Sequence, residues 1–85
     1  MPHRHGPMRG RKVAVAFGRV LKEVRERKNL SQEELAFRSG ISRTYPSLLE
    51  RARRQPTLSV IISVAAGLDV RPDFLVNRTL EELKE

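Results

Sequence analysis

Leu30-Ser31-Gln32-Glu33-Glu34-Leu35-Ala36, followed by Ser39-Gly40-Ile41-Ser42 and Arg43-Thr44-Tyr45, decides how this chain is read. Ser31 and Glu34 stand at capping-box spacing, where the hydroxyl accepts from the Glu34 amide and the carboxylate reaches back to the Ser31 amide. A helix therefore starts here. Leu35 and Ala36 turn inward on it, and the small Ala36 lets two helices approach closely. Gly40 supplies the left-handed residue that ends a helix, and Ile41 packs beneath the turn. Ser42 is read as the N-cap of a next helix running to about Arg51, with Leu49 as its core residue. Arg43, Thr44, Ser47 and Leu48 then face outward. Two short helices joined by a glycine turn, the second opening on small, polar and basic side chains, suit contact with DNA base edges.

Upstream, Phe17, Val20, Leu21 and Val24 fall at i, i+3, i+4 and i+7, which predicts a helix over 13–28. Arg27 and Lys28 suit the negative end of its dipole, and Asn29 stands where a left-handed backbone closes it. Downstream, Thr57 caps a helix containing Leu58, Ile61, Ile62, Val64, Ala65 and Leu68, the most apolar of the set and hence the expected central one. Arg71-Pro72-Asp73 opens a fifth, with Pro at N1 and an acid in the first turn. Phe74, Leu75, Val76, Leu80 and Leu83 carry more apolar surface than a tail needs. Thr79 and Glu82 repeat capping-box spacing, which predicts a separate last turn. Residues 1–12, MPHRHGPMRGRK, show no apolar periodicity and read as a flexible basic arm able to reach an adjacent minor groove. The expected organisation is an arm over 1–12, a helical domain over 13–76 and a helical tail over 77–85.

Composition narrows the function. At 85 residues there is room for one small domain, burying roughly 60% of its unfolded surface. The net charge is +7, unevenly placed: residues 1–56 hold 14 Lys/Arg against 5 acids, and residues 57–85 hold 3 against 5. A basic front and a mildly acidic back suit a polyanion on one face and something else on the other. The chain has no cysteine, which excludes a disulfide framework and thiolate metal sites and fits a reducing cytoplasm, the expected location. No apolar run approaches the roughly 20 residues of a membrane span, and the N-terminus lacks a signal peptide's apolar core, so no membrane partner is expected. His3 and His5, without carboxylate or thiolate neighbours, make a poor metal site, and no metal or other cofactor is expected. No acid pair has a base or nucleophile beside it, so the chain does not read as an enzyme. With one Tyr, no Trp, and Phe17 and Phe37 committed to helices, no platform for stacking unpaired bases is apparent, which weighs against RNA.

Over residues 17 to 76 the chain resembles the Cro/repressor-type helix-turn-helix family. The resemblance rests on Phe17-Gly18, Arg25, Leu30 to Ala36, Gly40-Ile41-Ser42, Tyr45, Glu50-Arg51, Pro56-Thr57-Leu58, Ala65, Leu68 and Val70. Its size and the Arg43-Thr44-Tyr45 run are similar to restriction–modification controller proteins, and small phage repressors and antitoxins share most of these features. The resemblance implies an all-α, compact, five-helix, lambda-repressor-like domain and a sequence-specific regulator of transcription bound to double-stranded DNA. It implies base contacts from Arg43, Thr44, Tyr45 and Ser47. Arg43 leads, because Arg bidentate to guanine is the commonest specific contact. It also implies phosphate contacts from Ser31, Gln32, Ser42, Arg51, Arg53 and Arg54, which fix register without reading sequence, and a structural ion pair between Arg25 and Glu50.

Two positions depart from the family pattern. Pro46 stands where an aliphatic core residue is usual. Counted from Ser42 as N-cap it is the fourth helical residue, where its ring removes a hydrogen bond and crowds the Ser42 carbonyl. Either the first turn is distorted or the helix begins later, closer to Pro46. Ala52 stands where Gly normally takes a left-handed backbone, at a cost of roughly 1 kcal/mol unless the turn takes another shape. Size implies the partners. One such domain covers half a site, so a homodimer on a pseudo-palindromic operator is expected, joined through Phe74, Val76 and Leu80. There is no room for a small-molecule domain. The alternative is a protein-interaction module or antitoxin-like subunit with weak DNA binding, in which Pro46 has spoiled base readout and the apolar C-terminal surface does the work.

Overall fold

Four residues with left-handed backbones set the turns of the chain: Asn29, Gly40, Ala52 and Asp69, with φ between 58° and 71°. Each follows a helix, and each turn closes with the same pair of hydrogen bonds. Leu30, Ile41, Arg53 and Val70 donate their amides to Arg25, Ala36, Leu48 and Ala65, while the left-handed residue donates to the carbonyl three residues back. These are Schellman closures, which satisfy carbonyls the helix would otherwise leave bare. Leu30, Ile41 and Val70 then pack against the core. The fourth such position is Arg53, which is exposed.

The computed structural model describes residues 6–84, with side chains from Gly10 onward, and it is all-helical. The elements are α1 (Gly6–Arg27), α2 (Gln32–Ser39), α3 (Tyr45–Glu50), α4 (Leu58–Leu68) and α5 (Pro72–Leu83). α1 packs against α3 and α5, α2 against α3 and α4, and α4 against α5. Phe17, Val20, Leu21 and Val24 of α1 meet Leu35, Leu49, Val64, Leu68 and Leu75, drawn from all four other helices, in a single core. Gly18 lets α1 approach the end of α3 closely. A Cβ there would stand 2.6 Å from the Leu49 carbonyl oxygen and 2.8 Å from that of Glu50.

Several expectations are corrected. α1 begins at Gly6, so residues 6–12 are helical rather than a flexible arm. The Gln55 side-chain amide donates to the Gly10 carbonyl (2.9 Å) and ties this extension to the α3–α4 loop. Residues 1–5, with His3 and His5, lie outside the described residues. The boundary expected after residue 76 falls inside the continuous helix α5. Thr79 caps nothing: it is buried, and its hydroxyl donates to the Leu75 carbonyl one turn back (2.8 Å). α4 is not buried all round, since Leu58 and Ile62 are 71% and 50% exposed. Its core face is Val64, Ala65, Gly67 and Leu68.

Candidate nucleic-acid interface

The capping box at α2 is formed as the sequence requires. The Ser31 hydroxyl accepts from the Glu34 amide (3.0 Å) and Glu34 accepts from the Ser31 amide (2.7 Å). Those bonds hold the Glu34 carboxyl below the usual carboxylate range. The amides of Gln32 and Glu33, in the first turn of α2, lie outside this box and outside the helix's own ladder.

α3 starts at Tyr45, with Thr44 as N-cap and no side-chain cap. Ser42 is therefore not the cap. Its carbonyl accepts from the Tyr45 amide in a turn ahead of the helix (3.0 Å). The cause is Pro46. From the later start it falls at N2, where a proline breaks no helical hydrogen bond. Its ring is buried in the place expected of an aliphatic side chain. The physical ground for a spoiled recognition helix is thereby removed. Ala52 keeps the left-handed backbone, φ 58°, so the exit turn has the usual shape and carries the strain of a Cβ.

Arg43 and Thr44 are fully presented, on the turn before α3, while Tyr45 and Ser47 are half-buried and Tyr45 leans on the core. The exposed Arg43 guanidinium pairs with Glu33 of α2 at 2.7 Å. Such a pair is worth about 0–1 kcal/mol and releases easily. Ser31, Ser42, Arg51, Arg53 and Arg54 are exposed. None of these three arginines is in an ion pair among the described residues.

Behind this surface, Arg25 and Glu50 pair as expected. Arg25 Nε donates to Glu50 Oε2 (2.6 Å) and Nη2 to Oε1 (3.0 Å), with the side chains 10% and 4% exposed. The hydrogen bond to Glu50 drives the Arg25 pKa further up. Nη1 donates to the Leu30 carbonyl (2.7 Å). Gln32 joins them, its Nε2 donating to Glu50 Oε1 (3.0 Å). Sequence reasoning missed both the Gln32–Glu50 and the Arg43–Glu33 contacts. It also missed that Phe37 is 88% exposed on α2.

On α5, Phe74, Val76 and Leu80 are all exposed, but the helix does not bring them onto one stripe. At 3.6 residues per turn, Phe74 lies about 160° from Val76 and about 120° from Leu80. Val76, Leu80 and Leu83 border an apolar groove of about 240 Å³ with Val13, Pro56 and Ile61. Among the described residues no helix is long and apolar enough to cross a membrane.

Two helices joined by a tight turn, a polar and basic opening to the second, and a buried ion pair fastening that second helix to the scaffold define a helix-turn-helix DNA-binding domain. The family model described as "Helix-turn-helix" matches residues 21–75. The chain belongs to this helix-turn-helix family of DNA-binding transcriptional regulators. It is 35% identical over 68 residues to the control protein C.BamHI of Bacillus amyloliquefaciens, covering 79% of this chain and 84% of that one. The crystal structure of the restriction–modification controller protein C.AhdI from Aeromonas hydrophila superposes with a TM-score of 0.71 at 45% identity, over 73% of this chain and 94% of that one. The controller protein C.Esp1396I, crystallised as a tetramer in complex with its natural 35 base-pair operator, superposes at 0.79 with 29% identity, over 86% and 96% of the two chains.

Proposed function

We propose that this protein is a sequence-specific regulator that binds a pseudo-palindromic operator as a homodimer, with α3 and the turn before it in the major groove. The observation that carries the reading is the placement of Arg43 and Thr44. Both are exposed directly ahead of a helix whose inner face is locked by Pro46, Leu49 and Glu50. Arg43 reads guanine, Thr44 and Ser47 reach a thymine methyl or a base-edge acceptor, and Tyr45 supports them from its half-buried position. Ser31, Gln32 and Ser42 hold phosphate on one side of the groove, and Arg51, Arg53 and Arg54 on the other. The likeness to controller proteins, one of them crystallised as a tetramer on its operator, supports operator binding by more than one subunit. Val76 and Leu80 supply the dimer contact, with Phe74 across the outward face of α5.

Paired substitutions test it. Arg43→Ala weakens binding to the cognate site by about 1–3 kcal/mol and far less on random DNA, whereas Arg53→Ala weakens both alike and lowers the salt slope by about one. Equal losses on both DNAs for both variants would defeat the assignment.

A further inference from the structure

Glu50 sits at the last residue of α3, the negative end of a helix dipole and an unfavourable place for a carboxylate. Its bidentate bond to Arg25 explains how the charge is tolerated, but not why its Oε1 also accepts from Gln32 Nε2 at 3.0 Å. That second bond crosses from α3 to the first residue of α2. It has a chemical consequence for Gln32. An ionised carboxylate only accepts, so it selects the NH₂ end of the amide and turns Gln32 Oε1 away. One Nε2 hydrogen is used and the second is left over, on the first residue of α2, where the backbone amides of Gln32 and Glu33 also stand outside the helix ladder. Three uncharged donors on two adjacent residues are then available to a phosphate oxygen at this helix start. Without Glu50 the amide is free to rotate, and in half its orientations it offers an oxygen to the phosphate.

Resting on the proposed DNA-binding reading, we infer that Glu50 is a positioning residue for phosphate recognition: it orients the Gln32 amide so that its remaining N–H meets the DNA backbone. Arg25 holds Glu50 and Glu50 holds Gln32, so the exit of α3 and the phosphate contact of α2 form one rigid unit. The register of the recognition helix is thereby tied to the backbone it rests on.

A double-substitution cycle on DNA binding separates this role from a merely structural one. The probes are the wild-type protein, Gln32→Ala, Glu50→Gln and the double variant, each confirmed folded by circular dichroism and titrated on one duplex at one salt concentration. Glu50→Asp replaces Glu50→Gln if the latter does not fold. It keeps the charge for Arg25 but draws the oxygen back from Gln32. Gln32→Ala weakens wild-type binding about tenfold, the worth of one hydrogen bond to a charged oxygen. In the Glu50→Gln or Glu50→Asp background the same change costs less than about twofold, because the amide is no longer aimed. Equal losses in both backgrounds would overturn the positioning role and leave DNA binding intact. A wild-type protein that binds no duplex would overturn the DNA-binding reading, and this inference with it.

Discussion

Arg25 makes three hydrogen bonds from one guanidinium: two to Glu50 and one to the Leu30 carbonyl. Lysine lacks this planar fork and does not substitute for it. Arg25→Ala strands a Glu50 carboxylate whose side chain is only 4% exposed, and breaking a buried pair on one side costs about 3–5 kcal/mol. Thermal unfolding of the variant is expected to fall by well over ten degrees in a domain of this size. A change of a degree or two would show that the pair does not hold the helices. At this scale the sequence was legible where partners are close along the chain, as in Ser31 with Glu34. Arg25 with Glu50 came only from family resemblance. The Gln32–Glu50 bond spans 18 residues and leaves no local pattern. Arg43 with Glu33 escaped notice because nothing in either segment shows how the turn at Gly40 folds one onto the other.

At the scale of elements, turn chemistry explains both what was legible and what was not. Asn29 and Gly40 announce left-handed closures, and the structure has them. Asp69 and Ala52 adopt the same conformation with less obvious residues. For α3 the sequence offered two starts, one capped by Ser42 and one later, closer to Pro46, and the proline requires the later one. The early start of α1 was hidden by Gly6 and Gly10, poor helix formers, and by Pro7, which falls in the first turn and breaks no helical hydrogen bond; Gln55 fastens this turn through the Gly10 carbonyl. Two predictions belong here. Ala52→Gly removes the left-handed strain and stabilises the fold by about 1 kcal/mol, less what glycine loses in the unfolded chain. Denaturant titration checks it, and a destabilised variant would mean that the turn carries no strain. Glu34 has its folded pKa lowered by the Ser31 amide, so its contribution is present above the ordinary carboxylate value and is lost as pH falls through the lowered one. Glu34→Gln keeps a capping side chain without a titrating group. The stability gap between wild type and this variant is expected to close on the acid side of the ordinary carboxylate value of 4.5, and a gap independent of pH would contradict it.

At the scale of the whole molecule, the exposed arginines and the exposed apolar side chains meet at the α3–α4 loop. The arginines of the α3–α4 loop and Arg43 are exposed, while Pro56 of that same loop lines the apolar groove with Val76, Leu80 and Leu83. The three apolar residues of the expected dimer surface were legible as exposed but not as a face, because their spacing on a helix emerges only once α5 is continuous. Under the proposed homodimer, Leu80→Asp places a charge at the groove's edge, so wild type is expected to sediment as a dimer and the variant as a monomer with unchanged helical content. A variant that sediments like wild type would move the interface elsewhere, with the exposed Leu58 and Ile62 of α4 the next surface to test. The central claim is that two copies read a symmetric site through α3. Selection of bound sequences from a randomised duplex library at physiological salt tests it most directly. The account predicts enrichment of a two-fold symmetric site with half-sites about one helical turn apart. Weak binding that fades as salt rises, with no sequence enriched, would contradict it.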